Sequence, residues 1–163
     1  MIVGIDFDNT LACYDGLFHA EAVARGLLPA TAPSDKQSVR DMLRAQGQEE
    51  EWTMLQGHVY GPGLAKAIPY PGAQECIAHL LSLGAQVYIV SHKTPTPYLG
   101  PPHNLHAAAR QWLWQTGFHA PNLLPEANVF LEPTMAQKCE RIATLGCTHF
   151  IDDLPEFLTD ARF

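Results

Sequence analysis

The sequence predicts an α/β fold, a three-layer Rossmann-like parallel sheet with helices on both faces and a small α-helical cap insertion. Short apolar runs typical of buried strands alternate along the chain with segments of helical periodicity. One segment of about fifty residues has helical periodicity alone. Polar residues follow the apolar runs directly, which places them at the carboxyl ends of the strands, where open α/β sheets bind ligands.

The composition favours one folded domain with a small insertion and excludes several classes of function. The chain has 163 residues, of which 47% are apolar and 17% charged, enough to build a packed core. Its formal net charge of -7 argues against binding nucleic acid through the phosphates. No apolar run has the roughly 18 residues of a membrane span, so no membrane association is expected.

The N-terminal residues and the cysteines lead us to expect a cytoplasmic protein. Residues 1–6 lack the basic n-region of a signal peptide. No two cysteines have the C-x-x-C spacing of a zinc or redox site. We therefore expect four reduced, mostly buried thiols, which are Cys13, Cys76, Cys139 and Cys147.

The first strand is predicted at residues 1–5, directly before Asp6. Residues 15–70 carry no strand pattern and are predicted to form a helical insertion, with 1–14 and 71–163 as the α/β core. Apolar residues recur there at helical spacing, first at Phe18, Ala22 and Val23 and then at Val39, Met42 and Leu43. A third helix of the insertion is predicted at residues 49–56.

Strands and helices alternate again after the insertion. Further strands are predicted at 87–90, 128–131 and 148–151, and helices at 71–84, 105–116, 134–146 and 154–161. Pro71 suits a first helical position, whereas Gly84 and Gly146 suit helix ends. Thr134 and Gln137 have the spacing of a capping box.

Four polar signals coincide with predicted strand ends or with the turn after a strand. Asp6 and Asp8 follow the first strand, and two acids at this spacing repel each other unless a cation or a proton intervenes. Ser91 ends the second strand, where a hydroxyl and main-chain N–H groups suit a phosphate. Lys138 lies near the start of a helix, and Asp152-Asp153 end the last strand. Taken singly, each signal has an ordinary structural explanation, such as a turn residue or a solvated lysine.

Taken together, these residues would place four acids and one lysine at one edge of the sheet. The acids would be destabilised there without a divalent cation, and Mg²⁺ prefers hard oxygen ligands of this type. Mg²⁺ would also recruit a phosphate oxygen. One aspartate could then act as a nucleophile and another carboxyl group could carry the proton. The lysine and the serine could stabilise charge on the transferring phosphoryl group.

The ordered set Asp6-x-Asp8-x-Thr10, Ser91, Lys138 and Asp152-Asp153 resembles the four-motif pattern of the haloacid dehalogenase-like hydrolases. The resemblance spans residues 6–153. It implies a phosphatase, because the position of Asp8 separates the phosphatases of that family from its dehalogenases. The helical insertion lies between the first and second motifs, where that family carries its helical type of cap.

The resemblance also implies a role for each motif residue. Asp6 would be the nucleophile that forms an aspartyl-phosphate, and Asp8 would protonate the leaving oxygen and later activate water. Thr10 would support the loop that carries Asp6. Ser91 would bind phosphoryl oxygens, and Lys138 would hold both the nucleophile and the phosphoryl charge.

The implied Mg²⁺ ligands are Asp6, the main-chain carbonyl of Asp8 and one of Asp152 and Asp153. The sequence does not decide between the last two, and Asp152 is the first choice.

Two residues beside Ser91 are further candidates for binding phosphate or substrate. These are His92 and Lys93, through their main-chain N–H groups and the Lys93 ammonium. Lys93 also competes with Lys138 as the motif lysine. Lys138 is preferred because it precedes Asp152 by 14 residues, the expected arrangement.

The expected function is Mg²⁺-dependent hydrolysis of a phosphomonoester, with a small soluble phosphorylated metabolite as substrate. Residues 151–155 and the insertion are similar to the 5′(3′)-deoxyribonucleotidase branch, so a nucleoside monophosphate 5′-nucleotidase is an alternative. A phosphotransferase and a non-catalytic phospho-ligand-binding protein also stay open. The motif order argues against a phosphoacceptor receiver domain, and nucleotide-binding glycine motifs are absent from the sequence. The oligomeric state is not indicated.

Overall fold

The computed structural model describes residues 1–159 and divides the chain into two compact units. The first contains Met1–Cys13, Ile68–Thr94 and the chain from Leu113 onward, and the second contains Tyr14–Ala67 and Pro95–Trp112. The strands are β1 (Ile2–Ile5), β2 (Ala12–Cys13), β3 (Ile68–Pro69), β4 (Gln86–His92), β5 (Val129–Glu132) and β6 (His149–Ile151). The helices are α1 (Leu17–Ala24), α2 (Lys36–Ala45), α3 (Glu49–Tyr60), α4 (Ala73–Ser82), α5 (Leu105–Gln115), α6 (Met135–Leu145) and α7 (Pro155–Leu158).

Four strands of the first unit form a parallel sheet in the order β5-β4-β1-β6. Helices α4 and α6 pack against strands of this sheet. The predicted α/β class is therefore confirmed, and the arrangement is compatible with a Rossmann-like three-layer fold. Parallel neighbours need long crossover connections, which explains why helical segments separate the strands in the sequence.

The central strands bring their carboxyl ends to one edge of the sheet. Val87, Ile89 and Val90 of β4 are buried, as expected for a strand whose two faces are covered. The parallel register aligns Ile5 at the end of β1 with Ile89 of β4 and with Ile151 at the end of β6. Residues that directly follow β1 and β6 therefore start from the same edge.

A second, two-stranded ladder in the first unit corrects the expectation that residues 15–70 contain no strand. Strand β3 pairs antiparallel with β2, with Ala12 opposite Pro69 and Cys13 opposite Ile68. Two paired residues are too few to produce a readable alternation of apolar and polar side chains.

The helix boundaries agree with most of the expected start and stop signals. Gly84 and Gly146 follow α4 and α6 with φ of 76° and 66°, in the left-handed region that suits glycine. The Thr134 hydroxyl accepts a hydrogen bond from the Gln137 N–H at 3.2 Å, as a helix N-cap does. Pro71 does not occupy a first helical position, because Gly72, at φ 83°, separates it from α4.

The last predicted helix, at 154–161, corresponds to α7, and residues 160 and 161 lie outside the described residues.

All four cysteines are free thiols. The expectation that they are mostly buried is wrong, since Cys139 is buried, Cys76 is exposed, and Cys13 and Cys147 are intermediate.

The second unit has its own aromatic core. The rings of Phe18 and Trp52 lie 5.2 Å apart between centroids, as do those of Tyr14 and Tyr60. The Asp35 side chain caps α2 by accepting a hydrogen bond from the Ser38 N–H at 2.8 Å. Helices α1 and α2 bury Phe18, Ala22, Val39 and Leu43, four of the six apolar residues whose spacing predicted them, and α3 runs four residues beyond its predicted end at 56.

A polar cavity of about 410 Å³ opens on the second unit. It is lined by side chains of α2 and α3, which are Lys36, Gln37, Arg40, Arg44, Trp52 and Gln56.

Among residues 1–159, no helix combines the length and the apolar character that a bilayer crossing requires.

The close approach of β1 to β6 gives a test of the packing in the first unit. A Cβ atom at Gly4 would lie 2.5 Å from two ring atoms of Phe150, so Gly4→Ala forces the ring to move. We expect a loss of about 1–3 kcal/mol in the free energy of unfolding, measured by urea denaturation. The double variant Gly4→Ala/Phe150→Leu should lose less than the two single losses added together. Strict additivity, or a wild-type stability for Gly4→Ala, would contradict the packing.

Candidate active site

The loop after β1 is shaped by main-chain hydrogen bonds. The Asp6 N–H donates to the Ile151 carbonyl at 2.9 Å, which extends the ladder between β1 and β6 by one residue. The Leu11 N–H donates to the Phe7 carbonyl at 3.0 Å and closes a turn. Asn9 within this turn has φ 58°, a left-handed conformation that asparagine tolerates better than most residues. The turn keeps both acids of the first motif at the end of β1.

Lys138 joins the first and last motifs. Its Nζ donates to Asp6 Oδ1 at 2.7 Å and to Asp152 Oδ2 at 2.6 Å. The lysine is only 2% exposed, so it is not a solvated surface residue. The Asp152 side chain is fully buried, and its Oδ1 accepts a hydrogen bond from the Leu154 N–H at 3.0 Å. One buried ammonium therefore lies between two buried carboxylates. The resemblance implied the contact with Asp6, whereas the contact with Asp152 was not predicted.

Three acids at this edge are placed to share a cation. One carboxylate oxygen each of Asp6, Asp152 and Asp153 lies within 4.8 Å of the others. Asp6 is buried, whereas Asp153 is exposed and gives access from solvent. Hard oxygen donors in such a group suit Mg²⁺ or a similar divalent cation. The residues present therefore fit the metal that the sequence led us to expect.

Asp8 is bound by Lys93, an interaction that the sequence analysis did not predict. The Lys93 Nζ lies 2.9 Å from both Asp8 Oδ1 and Asp8 Oδ2. Lys93 is 4% exposed, and its ammonium also lies 5.3 Å from the centroid of the Phe7 ring. Its main-chain N–H donates to the Glu132 carbonyl at 2.8 Å. The structure therefore places the Lys93 ammonium on Asp8 and its N–H on β5, and does not leave that N–H to a phosphate.

Two hydroxyl groups are buried close to this part of the fold. Thr10 lies four residues after Asp6 in the sequence, and Ser91 lies in β4, the strand that pairs with β1. Ser91 is 1% exposed. Neither the Ser91 Oγ nor the Thr10 Oγ1 has a hydrogen-bond partner within residues 1–159. An unpaired buried hydroxyl costs about 1–3 kcal/mol, so an unfilled hydrogen bond of this kind is typical of a group that awaits a ligand or water.

The His92 side chain contacts the main chain just before α6. Its Nε2 lies 3.2 Å from the Pro133 carbonyl oxygen, so the ring binds the main chain just before α6. His92 is also in register with Glu132 within the sheet. A phosphate contact from the His92 main chain stays a prediction.

Burial and charge both act on Asp6. Burial raises its pKa, the Lys138 ammonium lowers it, and the neighbouring carboxylates of Asp8 and Asp152 raise it again, so that the pKa reaches about 7 from 3.8. The site holds four carboxylates, Asp6, Asp8, Asp152 and Asp153, and two ammonium groups, Lys93 and Lys138. This leaves a formal excess of two negative charges, which the charge of one divalent cation would match.

The sequence located most of this cluster but not all of its connections. The pattern of strand ends indicated Asp6, Ser91 and Asp152, which lie on or directly after strands of one sheet. The pairing of Asp8 with Lys93 links residues 85 positions apart, and no local pattern reports it. The sequence held only one weak signal of this pairing, which is a lysine two residues after Ser91 at the end of a buried strand.

The raised pKa of Asp6 predicts how stability depends on pH in metal-free buffer. The unfolded chain releases the Asp6 proton near pH 3.8, whereas the folded chain holds it to about pH 7, so the free energy of unfolding falls over this range. Asp6→Asn has no proton to lose there. Its Tm should exceed the wild-type Tm by a margin that grows from pH 4 to pH 7 and reaches at least about 3 °C.

The exposed carboxylate of Asp41, which pairs with Arg40, supplies the control. Asp41→Asn should give no such growing margin. Thermal unfolding in chelator at several pH values measures both variants, and a margin for Asp6→Asn that stays constant with pH would contradict the effect of burial.

No protein-family model and no curated protein matches the chain. The geometry of these residues therefore carries the functional interpretation.

Proposed function

We propose that this chain is a Mg²⁺-dependent phosphomonoester hydrolase of the haloacid dehalogenase-like type, which acts on a small phosphorylated metabolite through an aspartyl-phosphate at Asp6. The observation that carries the proposal is the buried Lys138 ammonium between Asp6 and Asp152, with Asp153 beside them. A buried nucleophile, a fixed cation and a group of hard oxygen donors occur together at one sheet edge. This combination suits phosphoryl transfer, because most of its catalysis is positioning and charge stabilisation.

Asp6 is suited to act as the nucleophile. Its carboxylate is held by Lys138 through Oδ1, which fixes its orientation at the end of β1. A carboxylate that attacks phosphorus forms an acyl-phosphate, and this splits one difficult displacement into two steps. The same lysine would balance negative charge on the phosphoryl group while it is transferred.

Asp6, Asp152 and Asp153 would hold the Mg²⁺ ion, and the resemblance adds the Asp8 carbonyl. When bound, the ion would offset the excess negative charge of the site and polarise a phosphoryl oxygen. The buried hydroxyls of Ser91 and Thr10 are available to donate to phosphoryl oxygens, because neither has a partner among the described residues.

The proposed reaction has two displacements at phosphorus. In the first, the bond from phosphorus to Asp6 forms as the bond to the leaving oxygen breaks, and Asp8 gives its proton to that oxygen. In the second, water attacks phosphorus, Asp8 takes back a proton, and the bond to Asp6 breaks to release phosphate. Asp8 is 21% exposed at its side chain, so a substrate oxygen and water can both reach it.

Phosphate release from a panel of phosphomonoesters, with Mg²⁺ and with chelator, tests this proposal. We expect turnover that needs Mg²⁺ and that falls by at least about 10³-fold in Asp6→Asn, since covalent catalysis is lost. Asp6→Asn should be at least as stable as the wild type near pH 7, so its inactivity will not reflect unfolding. Asp41→Asn is the active control.

Nucleoside monophosphates in the panel would distinguish a nucleotidase from an enzyme for other phosphoesters. A folded wild-type protein without turnover on any ester would overturn hydrolysis, and transfer to an added alcohol acceptor would then favour a phosphotransferase.

Asp153→Asn tests the proposed metal site separately from the reaction. Asp153 is exposed, so its change to Asn should shift the Tm of the metal-free protein by no more than an ordinary surface substitution. Calorimetric titration with Mg²⁺ should show affinity weakened by on the order of 10-fold to 100-fold, the range for groups that support metal sites. Unchanged affinity would exclude Asp153 as a ligand and favour Asp152. The control is again Asp41→Asn.

A further inference from the structure

Lys93 makes a symmetric, buried contact with Asp8. Its Nζ lies 2.9 Å from each carboxylate oxygen, and its side chain is 3% exposed. The stem of Lys93 leaves β4 one residue after its end and reaches the loop after β1. The contact therefore joins two neighbouring strands of the sheet at their carboxyl ends.

Both ends of Lys93 are fixed. The main-chain N–H donates to the Glu132 carbonyl at 2.8 Å, and the ammonium contacts the Asp8 carboxylate and lies 5.3 Å from the centroid of the Phe7 ring. A lysine held in this way has lost the freedom of its long side chain. The carboxylate that it binds at both oxygens is held in one orientation as well.

Asp8 has to be aimed accurately for the reaction proposed above. A group that passes a proton to a leaving oxygen must lie within about 3.2 Å of it in the right direction. Asp8 lies within the turn closed by the Leu11 to Phe7 hydrogen bond and is partly open to solvent, so the turn alone does not fix its side chain. Lys93 supplies the second attachment.

We propose that Lys93 is a positioning residue, which orients the Asp8 carboxyl group toward the leaving oxygen and does not itself bind the phosphoryl group. This inference rests on the proposed function. It replaces the sequence-based expectation that the Lys93 ammonium binds phosphate. The two roles differ in a measurable way, because a positioned proton donor matters only when the leaving group needs a proton.

Two esters separate these roles. An alkyl phosphate has a leaving group that needs protonation, whereas 4-nitrophenyl phosphate releases a stable phenolate that does not. In Lys93→Met, kcat/KM for the alkyl ester should fall by on the order of 10²-fold, the lower range for general acid catalysis, and kcat/KM for the nitrophenyl ester by less than about 10-fold. The ratio kcat/KM is used because it reports phosphoryl transfer and excludes the later hydrolysis of the aspartyl-phosphate.

Three further variants control for folding and for charge. Lys93→Arg keeps a cation and should recover part of the alkyl-ester activity. In an Asp8→Asn background, Lys93→Met should cause no further selective loss, since no carboxyl group remains to be oriented. Lys66→Met changes an exposed lysine in the second unit and should leave both esters unaffected. Circular dichroism of each variant reports whether it is folded.

An equal loss of kcat/KM on both esters by folded Lys93→Met would overturn the inference and assign Lys93 to phosphoryl binding, while the proposed function would stand. If Lys93→Met does not fold, kcat/KM for the two esters is compared in Lys93→Arg instead. Its altered geometry should then affect the alkyl ester more than the nitrophenyl ester, and equal effects would overturn the inference. A wild-type protein that hydrolyses neither ester in Mg²⁺ would overturn the proposed function and this inference with it.

Discussion

The first unit depends on one interaction, the buried contact of Lys138 with Asp6 and Asp152. It joins the loop after β1, the first turns of α6 and the end of β6, three segments that are distant in the sequence. A lysine in such a place needs carboxylate partners, because an unpaired buried ammonium is strongly unfavourable. The two carboxylates need the lysine for the same reason. Without the lysine, both buried carboxylates would lack a compensating charge, so the three segments are held in one arrangement.

The charges that the proposed reaction uses also result from bringing several acids together at one edge of the sheet. Parallel strands bring their carboxyl ends to one edge, and acids placed there repel each other. Two lysines reduce this repulsion, Lys138 at Asp6 and Lys93 at Asp8, and they leave an excess of negative charge. A site that is incompletely neutralised attracts a divalent cation, which in turn can attract a phosphate. The repulsion among the carboxylates that would destabilise the metal-free site would therefore also favour binding of the cation and, through it, of the phosphate.

The sequence predicted the fold class and the main cluster because both follow from local patterns. Apolar runs located the strands of the parallel sheet, and the polar residues just beyond them located Asp6 and Asp152. Contacts across the fold were harder to predict. The partner of Asp8 depends on which strands are neighbours, and nothing near Lys93 in the sequence specifies it. The short ladder between β2 and β3 and the exposure of Cys76 were missed for similar reasons, since two residues give no periodicity and a single cysteine carries no information about its surroundings.

A crystal structure of the protein with Mg²⁺ and beryllium trifluoride, a mimic of an acyl-phosphate, would show whether Asp6 is the nucleophile. We expect beryllium bonded to a carboxylate oxygen of Asp6, fluorines close to the Ser91 hydroxyl and the Lys138 ammonium, and Mg²⁺ beside Asp6 and at least one of Asp152 and Asp153. Beryllium on another residue, or Mg²⁺ bound away from these acids, would contradict the proposal. The same would hold if crystals grown with both ions contained neither at the end of β1.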